Sequence, residues 1–150
     1  MSTGQVFLSL GALILLAIVS IGIQQLFVQS VQETVGSQKT ADAVNYGRDL
    51  SEEVYSFAFN HKDISGSGGT VGLEPALRNE YDGYQTPETG KKFRSQIGKL
   101  YSATFDIETK TNVAHQQDGV EVRIRIYEQL NDDNYGFQAE YIALVTPISN

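Results

Sequence analysis

The 150-residue sequence has no cysteine, no tryptophan and only three prolines. Without cysteine, the chain forms no disulfide bond and has neither a thiolate metal ligand nor a thiol nucleophile. Cationic residues are also scarce, because eleven Lys and Arg stand against eighteen Asp and Glu, for a formal charge of -7. This balance does not supply the broad basic surface that binds nucleic acid through its phosphates. The length fits one small domain.

Charge is completely absent from the N-terminal part of the chain. The first ionisable side chain is that of Glu33, and residues 6–23 read VFLSLGALILLAIVSIGI, with Ser9 and Ser20 as the only polar side chains. Eighteen residues of α-helix are about 27 Å long, and residues 24–28 extend the helix to the hydrocarbon thickness of a bilayer, about 30 Å. The sequence therefore predicts a membrane-length apolar helix.

A secretory signal peptide or a buried core helix can contain a similar apolar run. Ser20-Ile21-Gly22 would serve as a signal cleavage site, but residues 1–4 place no positively charged side chain before the run. The chain also continues with helical periodicity after the run instead of starting a separate domain. These features favour a retained membrane helix over a cleaved signal.

Apolar residues recur at alternating steps of four and three beyond this segment, at Ala43, Gly47, Leu50, Val54 and Phe57. Charged residues lie between them, as in an amphipathic helix with one apolar stripe. Because no proline precedes Pro75, one helix is predicted from about residue 5 to about residue 59. Gly22 and Gly36 are its predicted points of flexibility, since glycine inside a helix costs about 1 kcal/mol relative to alanine.

The segment after this helix lacks a regular pattern. Residues 65–69 read SGSGG, which predicts a loop or hinge. Residues 70–98 contain Pro75, Pro87, several glycines and the tyrosine-rich stretch 81–84. We expect a surface connection with one or two short strands there.

Three antiparallel strands are predicted in the C-terminal third, because apolar and polar residues alternate there. The apolar positions are Tyr101, Ala103, Phe105 and Ile107, then Val120, Val122, Ile124 and Ile126, then Phe137, Ala139, Tyr141, Ala143 and Val145. Turns are predicted at residues 116–119 and 131–134, and the third strand at residues 135–146. A meander of this kind needs a cover on its apolar face. The predicted fold class is α+β, with a long N-terminal helix whose first half is an apolar rod and whose second half packs on the small antiparallel sheet.

No residue pattern indicates an enzyme, a cofactor or a metal site. His61 and His115 lie in polar stretches without partners at a catalytic spacing, and Asp132-Asp133 lacks the residue order of a calcium loop. Residues 66–69 lack the preceding strand and the Lys-Ser/Thr pair of a phosphate-binding loop.

Ion pairs across the sheet are predicted at Arg123 and Arg125, which stand beside Glu121 in the second strand.

Gly4-Gln5, the apolar run immediately after it and the long helix resemble the N-terminus of type IV pilins and pilin-like subunits. The resemblance implies that a prepilin peptidase cuts between Gly4 and Gln5 and removes a leader of residues 1–4. It also implies a subunit that waits in the cytoplasmic membrane among lipids and then joins an extracellular filament through an inner-membrane assembly platform. Its main partners are then other copies of itself, and no specific nucleic acid is expected.

Two positions depart from the pattern of that family. Ser9 stands where many bacterial members carry a Glu that is credited with pairing to a neighbour's new amino terminus. Thr3 stands where a Lys or Arg usually precedes the glycine. The positive charge that the positive-inside rule would use to keep this end in the cytoplasm is therefore missing.

Small residues in the apolar run permit close approach of neighbouring helices. The residues expected to pack in a filament core are Phe7, Leu8, Leu10, Gly11, Leu13, Ile14, Leu16, Ala17, Ile18, Ile21 and Phe27. Behind the leader, the predicted regions are the core helix at 5–32, its amphipathic continuation at 33–60, a connection at 61–98 and the sheet at 99–150. We expect the major structural subunit of an extracellular filament. The alternatives are a monomeric membrane-anchored binding module outside the cytoplasm and a minor pseudopilin of a secretion system.

Overall fold

The computed structural model describes residues 3–65, 70–114 and 117–146. Its helices and strands follow one another as α1 (Thr3–Ser65), α2 (Thr70–Tyr81), β1 (Lys91–Arg94), β2 (Leu100–Ala114), β3 (Gln117–Asn131) and β4 (Asn134–Val145). A long apolar N-terminal helix is thus followed by a small antiparallel sheet, which confirms the predicted α+β class.

The chain forms two units, Met1–Gln38 and Lys39–Asn150, called here the N-terminal unit and the sheet unit. Helix α1 contributes to both, since it is helical at every residue from Thr3 to Ser65, Gly22 and Gly36 included. It therefore ends later than the predicted residue 59. Flexibility at the two glycines stays a prediction, as do the predicted region boundaries.

The sheet is a meander in which the strands lie in the order of the sequence, β1-β2-β3-β4, each antiparallel to the next. β1 is a short strand of the kind expected in the connection. β2 and β3 are 15 residues long each, which is longer than predicted. The turn expected at 131–134 is present, whereas residues 117–119 belong to β3 and not to the predicted turn at 116–119.

The core of the sheet unit lies between the second part of α1, helix α2 and one face of the sheet. From α1 it includes three residues of the predicted stripe, Ala43, Leu50 and Val54, together with Tyr46 and Ala58. The sheet contributes the alternating residues predicted for β2 and β3, which are Tyr101, Ala103, Phe105, Ile107, Val120, Val122, Ile124 and Ile126. Burial on every second residue is what a strand with one covered face requires.

Gly47 permits the close approach of α1 to β4. A Cβ atom at this position would overlap the ring of Tyr141. The Tyr141 hydroxyl donates a hydrogen bond of 2.8 Å to the carbonyl oxygen of Val44, one turn earlier in the helix. Gly47 therefore belongs to the contact surface of the helix, as the predicted stripe has it, and the structure shows that the contact requires a residue without a side chain.

Helix α2 corrects the expectation of irregular structure in the connection. Leu73, Leu77 and Tyr81 recur at steps of four residues, and all three are buried against the core. Gly72 and Pro75 lie in the first part of this helix and lower its intrinsic helix propensity. The helix forms because its apolar side packs on the sheet, a contribution that local propensity does not contain.

The prediction for Phe137 is wrong, because a β-bulge interrupts β4. Ile126 pairs with Ala139 whereas Tyr127 pairs with Phe137, so that Gln138 is an extra residue without a partner in β3. The side-chain alternation of β4 therefore reverses there, and Phe137 lies 58% exposed on the outer face of the sheet. Its ring contacts that of Tyr127 edge to face, with 5.9 Å between the ring centroids.

Candidate assembly surface

The helix of the N-terminal unit exposes large apolar side chains along its length. All eleven residues predicted to pack in a filament core are exposed, and the large side chains among them keep between 53% and 76% of their surface accessible, the extremes being Leu10 and Leu8. Within residues 3–38, every residue except Gly22 is exposed. A helix that is apolar on all sides requires an apolar environment on all sides.

This helix is long and apolar enough to cross a membrane, and no residue of its most apolar segment is buried in the described part of the chain. A signal sequence near an N-terminus has the same length and composition. The lipid of a membrane would therefore cover this surface if the N-terminal unit is inserted, and other apolar helices would cover it equally well.

Two hydroxyl groups of this helix bond to their own backbone. The Ser9 hydroxyl donates to the carbonyl oxygen of Gln5 at 3.0 Å, and the Thr34 hydroxyl donates to that of Ser30 at 2.8 Å. Ser9 is thus satisfied without water or a partner chain, which makes it compatible with an apolar surrounding. Gly4 and Gln5, the expected cleavage junction, lie exposed in the first turn of α1.

In the sheet unit, Glu128 of β3 is the only buried charged side chain among the described residues. Its Oε1 lies 3.1 Å from Nζ of Lys39 and 3.2 Å from Nζ of Lys99. The Tyr101 hydroxyl donates to the carbonyl oxygen of Lys39 at 3.1 Å. Because Lys39 is the first residue of the sheet unit, these contacts fix the point at which α1 joins the core. The sequence signal was available, since Glu128 continues the buried alternation of Ile124 and Ile126.

Two opposing influences act on the pKa of Glu128. Burial raises the pKa, but hydrogen bonds and charge attraction from the ammonium groups of Lys39 and Lys99 outweigh burial, and the pKa is lowered from its usual value. Nearby, burial and the charge of Glu128 raise the pKa of Tyr101 to about 12. Tyr101 therefore keeps its proton throughout the neutral range, and its hydroxyl can donate the hydrogen bond to the Lys39 carbonyl.

We expect the free energy of unfolding of the sheet unit to depend on pH through Glu128. A carboxylate with a lowered folded-state pKa contributes stability above its unfolded pKa, about 4.3 for glutamate, and loses that stability as the pH falls through the folded value. Urea unfolding of the wild type and of Glu128→Gln between pH 7 and pH 3 measures the difference. The advantage of the wild type should shrink toward pH 3, and a pH-independent difference would contradict the ionised pair.

Other ion pairs of the sheet unit are more exposed. Arg125 pairs with Glu140 across β3 and β4 at 2.9 Å, as predicted, whereas Arg123 pairs with Glu121 of its own strand, also at 2.9 Å. An exposed pair of this kind contributes about 0–1 kcal/mol. These contacts order the outer face of the sheet and carry little of its stability.

Among the side chains that the structure describes, no group of three or more His, Asp or Glu is placed to hold a metal ion. The predictions for the side chains of His61 and His115 and for the loop at 66–69 concern parts of the chain outside the described ones.

No family model, curated protein or solved structure matches this chain.

Proposed function

We propose that the chain is the major structural subunit of an extracellular type IV pilus-like filament, whose core is a bundle of N-terminal helices. The observation that carries the proposal is the apolar helix of the N-terminal unit, which has no charge before Glu33 and is exposed on all sides. A folded sheet unit follows it in the same chain. The N-terminal unit therefore needs an apolar cover, whereas the sheet unit is suited to water.

The energetics support bundling once the subunit leaves the membrane. Burial of a Leu, Ile or Phe side chain stabilises by about 1.5–3 kcal/mol relative to water. Nine such side chains occur among the expected core residues, so the gross gain is roughly 15–25 kcal/mol, against an association cost of about 4–15 kcal/mol. Within the lipid, helix association depends instead on close packing, for which Gly11 and Ala17 provide small side chains.

A filament follows when the same contact repeats with a rotation that does not close into a ring. In this proposal, a prepilin peptidase removes residues 1–4, so that Gln5 becomes the first residue. The subunit is held by membrane lipid until an inner-membrane assembly platform adds it to the filament. The sheet unit carries every charged residue except Glu33, which suits it for the solvated outer coat.

A monomeric membrane-anchored module is the second candidate, and the length and apolar character of α1 favour it. In such a protein, lipid covers the N-terminal unit permanently and the sheet unit binds its partner outside the cytoplasm. A pseudopilin of a secretion system would use the same plan in small amounts.

Purified surface appendages separate these candidates. We expect N-terminal sequencing of their main protein to give this chain in large amounts, with Gln5 as its first residue. Recovery of the chain only as a membrane-fraction monomer that begins at Met1 would contradict the filament and favour the anchored module. Recovery as a trace component of an appendage built from another protein would favour the pseudopilin.

A further inference from the structure

Both edges of the four-stranded sheet are without a strand partner among the described residues. The β4 edge is 12 residues long, contains no proline or lysine, and has Glu140 as its only charged residue. The β1 edge is four residues long, and three of them are Lys91, Lys92 and Arg94. Edge strands present unpaired backbone N–H and C=O groups, and a long edge with a single charged residue is a template for a further strand.

The number of strands makes the two edges compatible with each other. In an antiparallel meander of four strands, β1 and β4 run in opposite directions. When a second copy stands beside the first in the same orientation, its β1 therefore meets β4 of the first copy as an antiparallel partner. The contact joins two different edges, so it repeats from copy to copy without closing on itself.

Charges are complementary at this junction. Arg94 has no hydrogen-bond or ion-pair partner among the described residues, and neither do the side chains of Asp132 and Asp133 in the β3–β4 turn. Arg94 of β1 lies opposite Leu100 of β2, and the next row of the sheet joins Tyr101 of β2 to Glu128, close to the end of β3 that leads into the β3–β4 turn. The free cation and the free anions thus lie at the same end of the sheet.

The strand register brings Arg94 of one copy close to the Asp132-Asp133 turn of its neighbour. This requires that β1 of the one copy pairs with β4 of the other without a shift along the strands. Continuing the Arg94–Leu100 row across the sheet leads to Gln129 and, in β4, to its partner Tyr135. Arg94 of the next copy then lies level with Tyr135. Asp133 lies two residues earlier, in the β3–β4 turn, and its Cα is therefore at most about 7 Å from that of Tyr135. An arginine side chain spans that distance.

From these observations we infer that neighbouring copies join their sheets in the filament, β4 of one copy pairing with β1 of the next and Arg94 facing the Asp132-Asp133 turn. The inference rests on the proposed filament and adds its outer contact. The helices of the N-terminal units form the core, and the paired edges link the sheet units around it.

Disulfide cross-linking tests this contact, because the natural chain has no cysteine. Lys92 and Phe137 lie in one row across the sheet, through Ser102 and Tyr127. In the proposed contact they become direct neighbours on the same face, with Cβ atoms about 4.5–5.5 Å apart, near the distance that a disulfide needs. Filaments of the Lys92→Cys, Phe137→Cys double variant should give, after mild oxidation, a ladder of dimers, trimers and higher multiples that a reducing agent abolishes.

The single-cysteine variants are the matched controls. Because the contact joins unlike edges, filaments of Lys92→Cys alone and of Phe137→Cys alone should give no disulfide-linked dimers after oxidation. Filaments of the double variant without a ladder would overturn the inference and leave the filament proposal intact, since electron microscopy scores the filaments independently. Dimers from Phe137→Cys alone would overturn it too, because they indicate a symmetric contact. If the wild type forms no filaments, the inference falls with the proposed function.

Reversing the charges of Arg94 and Asp133 in the double-cysteine variant tests the proposed ion pair through the rate of cross-linking. Arg94→Asp and Asp133→Arg should each lower the rate of ladder formation roughly two- to fivefold, as loss of an exposed ion pair implies. The two reversals combined should restore the rate. Equal rates in all variants would contradict the assigned ion pair and its register.

Discussion

Replacing Leu13 by Asp is expected to abolish filaments while the sheet unit folds as in the wild type. Leu13 is 63% exposed in the N-terminal unit, so its substitution removes no contact of the sheet core. In the bundle, by contrast, a carboxylate at the middle of an apolar helix costs about 2.5–3.5 kcal/mol on membrane-insertion scales. Every subunit of the filament would carry such a carboxylate in its helix and so weaken the packing of the bundle. Electron microscopy of the cells scores the filaments, and far-UV circular dichroism of the purified chain reports the fold.

Leu13→Ile is the matched control, because it keeps the apolar character and volume of the side chain. It should assemble normally, and Leu16→Asp should fail in the same way as Leu13→Asp. The membrane fraction must contain each Asp variant, so that failed insertion is distinguished from failed assembly. Normal filaments from Leu13→Asp would contradict a core built from the N-terminal helices.

The same substitution further along the same helix should have the opposite result. Leu50 is 3% exposed and lies in the core with Val54 and Leu77, which are fully buried. Leu50→Asp places an unpaired carboxylate there, and an uncompensated buried charge is destabilising by about 3–5 kcal/mol. This is a large part of the 5–15 kcal/mol that stabilises an ordinary domain. We expect the free energy of unfolding of the sheet unit to fall by about 3–5 kcal/mol in Leu50→Asp at neutral pH.

Thermal unfolding and limited proteolysis of Leu13→Asp and Leu50→Asp, measured side by side, give the comparison. The Leu13 variant should keep the transition temperature of the wild type, and the Leu50 variant should unfold at a clearly lower temperature and be cleaved faster. Equal destabilisation by the two substitutions would show that α1 does not divide into an assembly part and a core part.

The parts of the fold that follow from local pattern could be predicted from the sequence. The charge-free run required a helix in an apolar setting, and the steps of four and three through Leu50 and Val54 identified the face of α1 that meets the sheet. The alternation in β2 and β3 gave their inward residues, because side chains of a strand point to opposite faces in turn.

The parts that depend on tertiary contacts were not predictable in the same way. Helix α2 contains Gly72 and Pro75, and it is stabilised by burial of Leu77 against the sheet. The bulge at Gln138 reverses the alternation of β4, and no single residue type marks it. The burial of Glu128 was not predicted, because a charged residue ordinarily lies on the solvent side. Its burial is compensated by the ammonium groups of Lys39 and Lys99, which are distant in the sequence.

The candidate assembly surface, by contrast, could be identified by residue from the sequence. An absence of charge over a membrane length is visible without a fold, and the structure adds that the large apolar side chains from Phe7 to Phe27 are exposed. What the sequence could not provide is the alignment of Arg94 with the turn at Asp133, because it depends on the register of four strands.

A filament core of N-terminal helices can be observed by electron cryo-microscopy of surface appendages that contain this chain. We expect a helical filament in which residues from Gln5 to Gln38 form a central bundle of α-helices and the sheet units form the outer layer. A filament whose centre is built from sheet units, or cells whose appendages lack this chain while it remains a monomer in the membrane, would contradict the proposed filament.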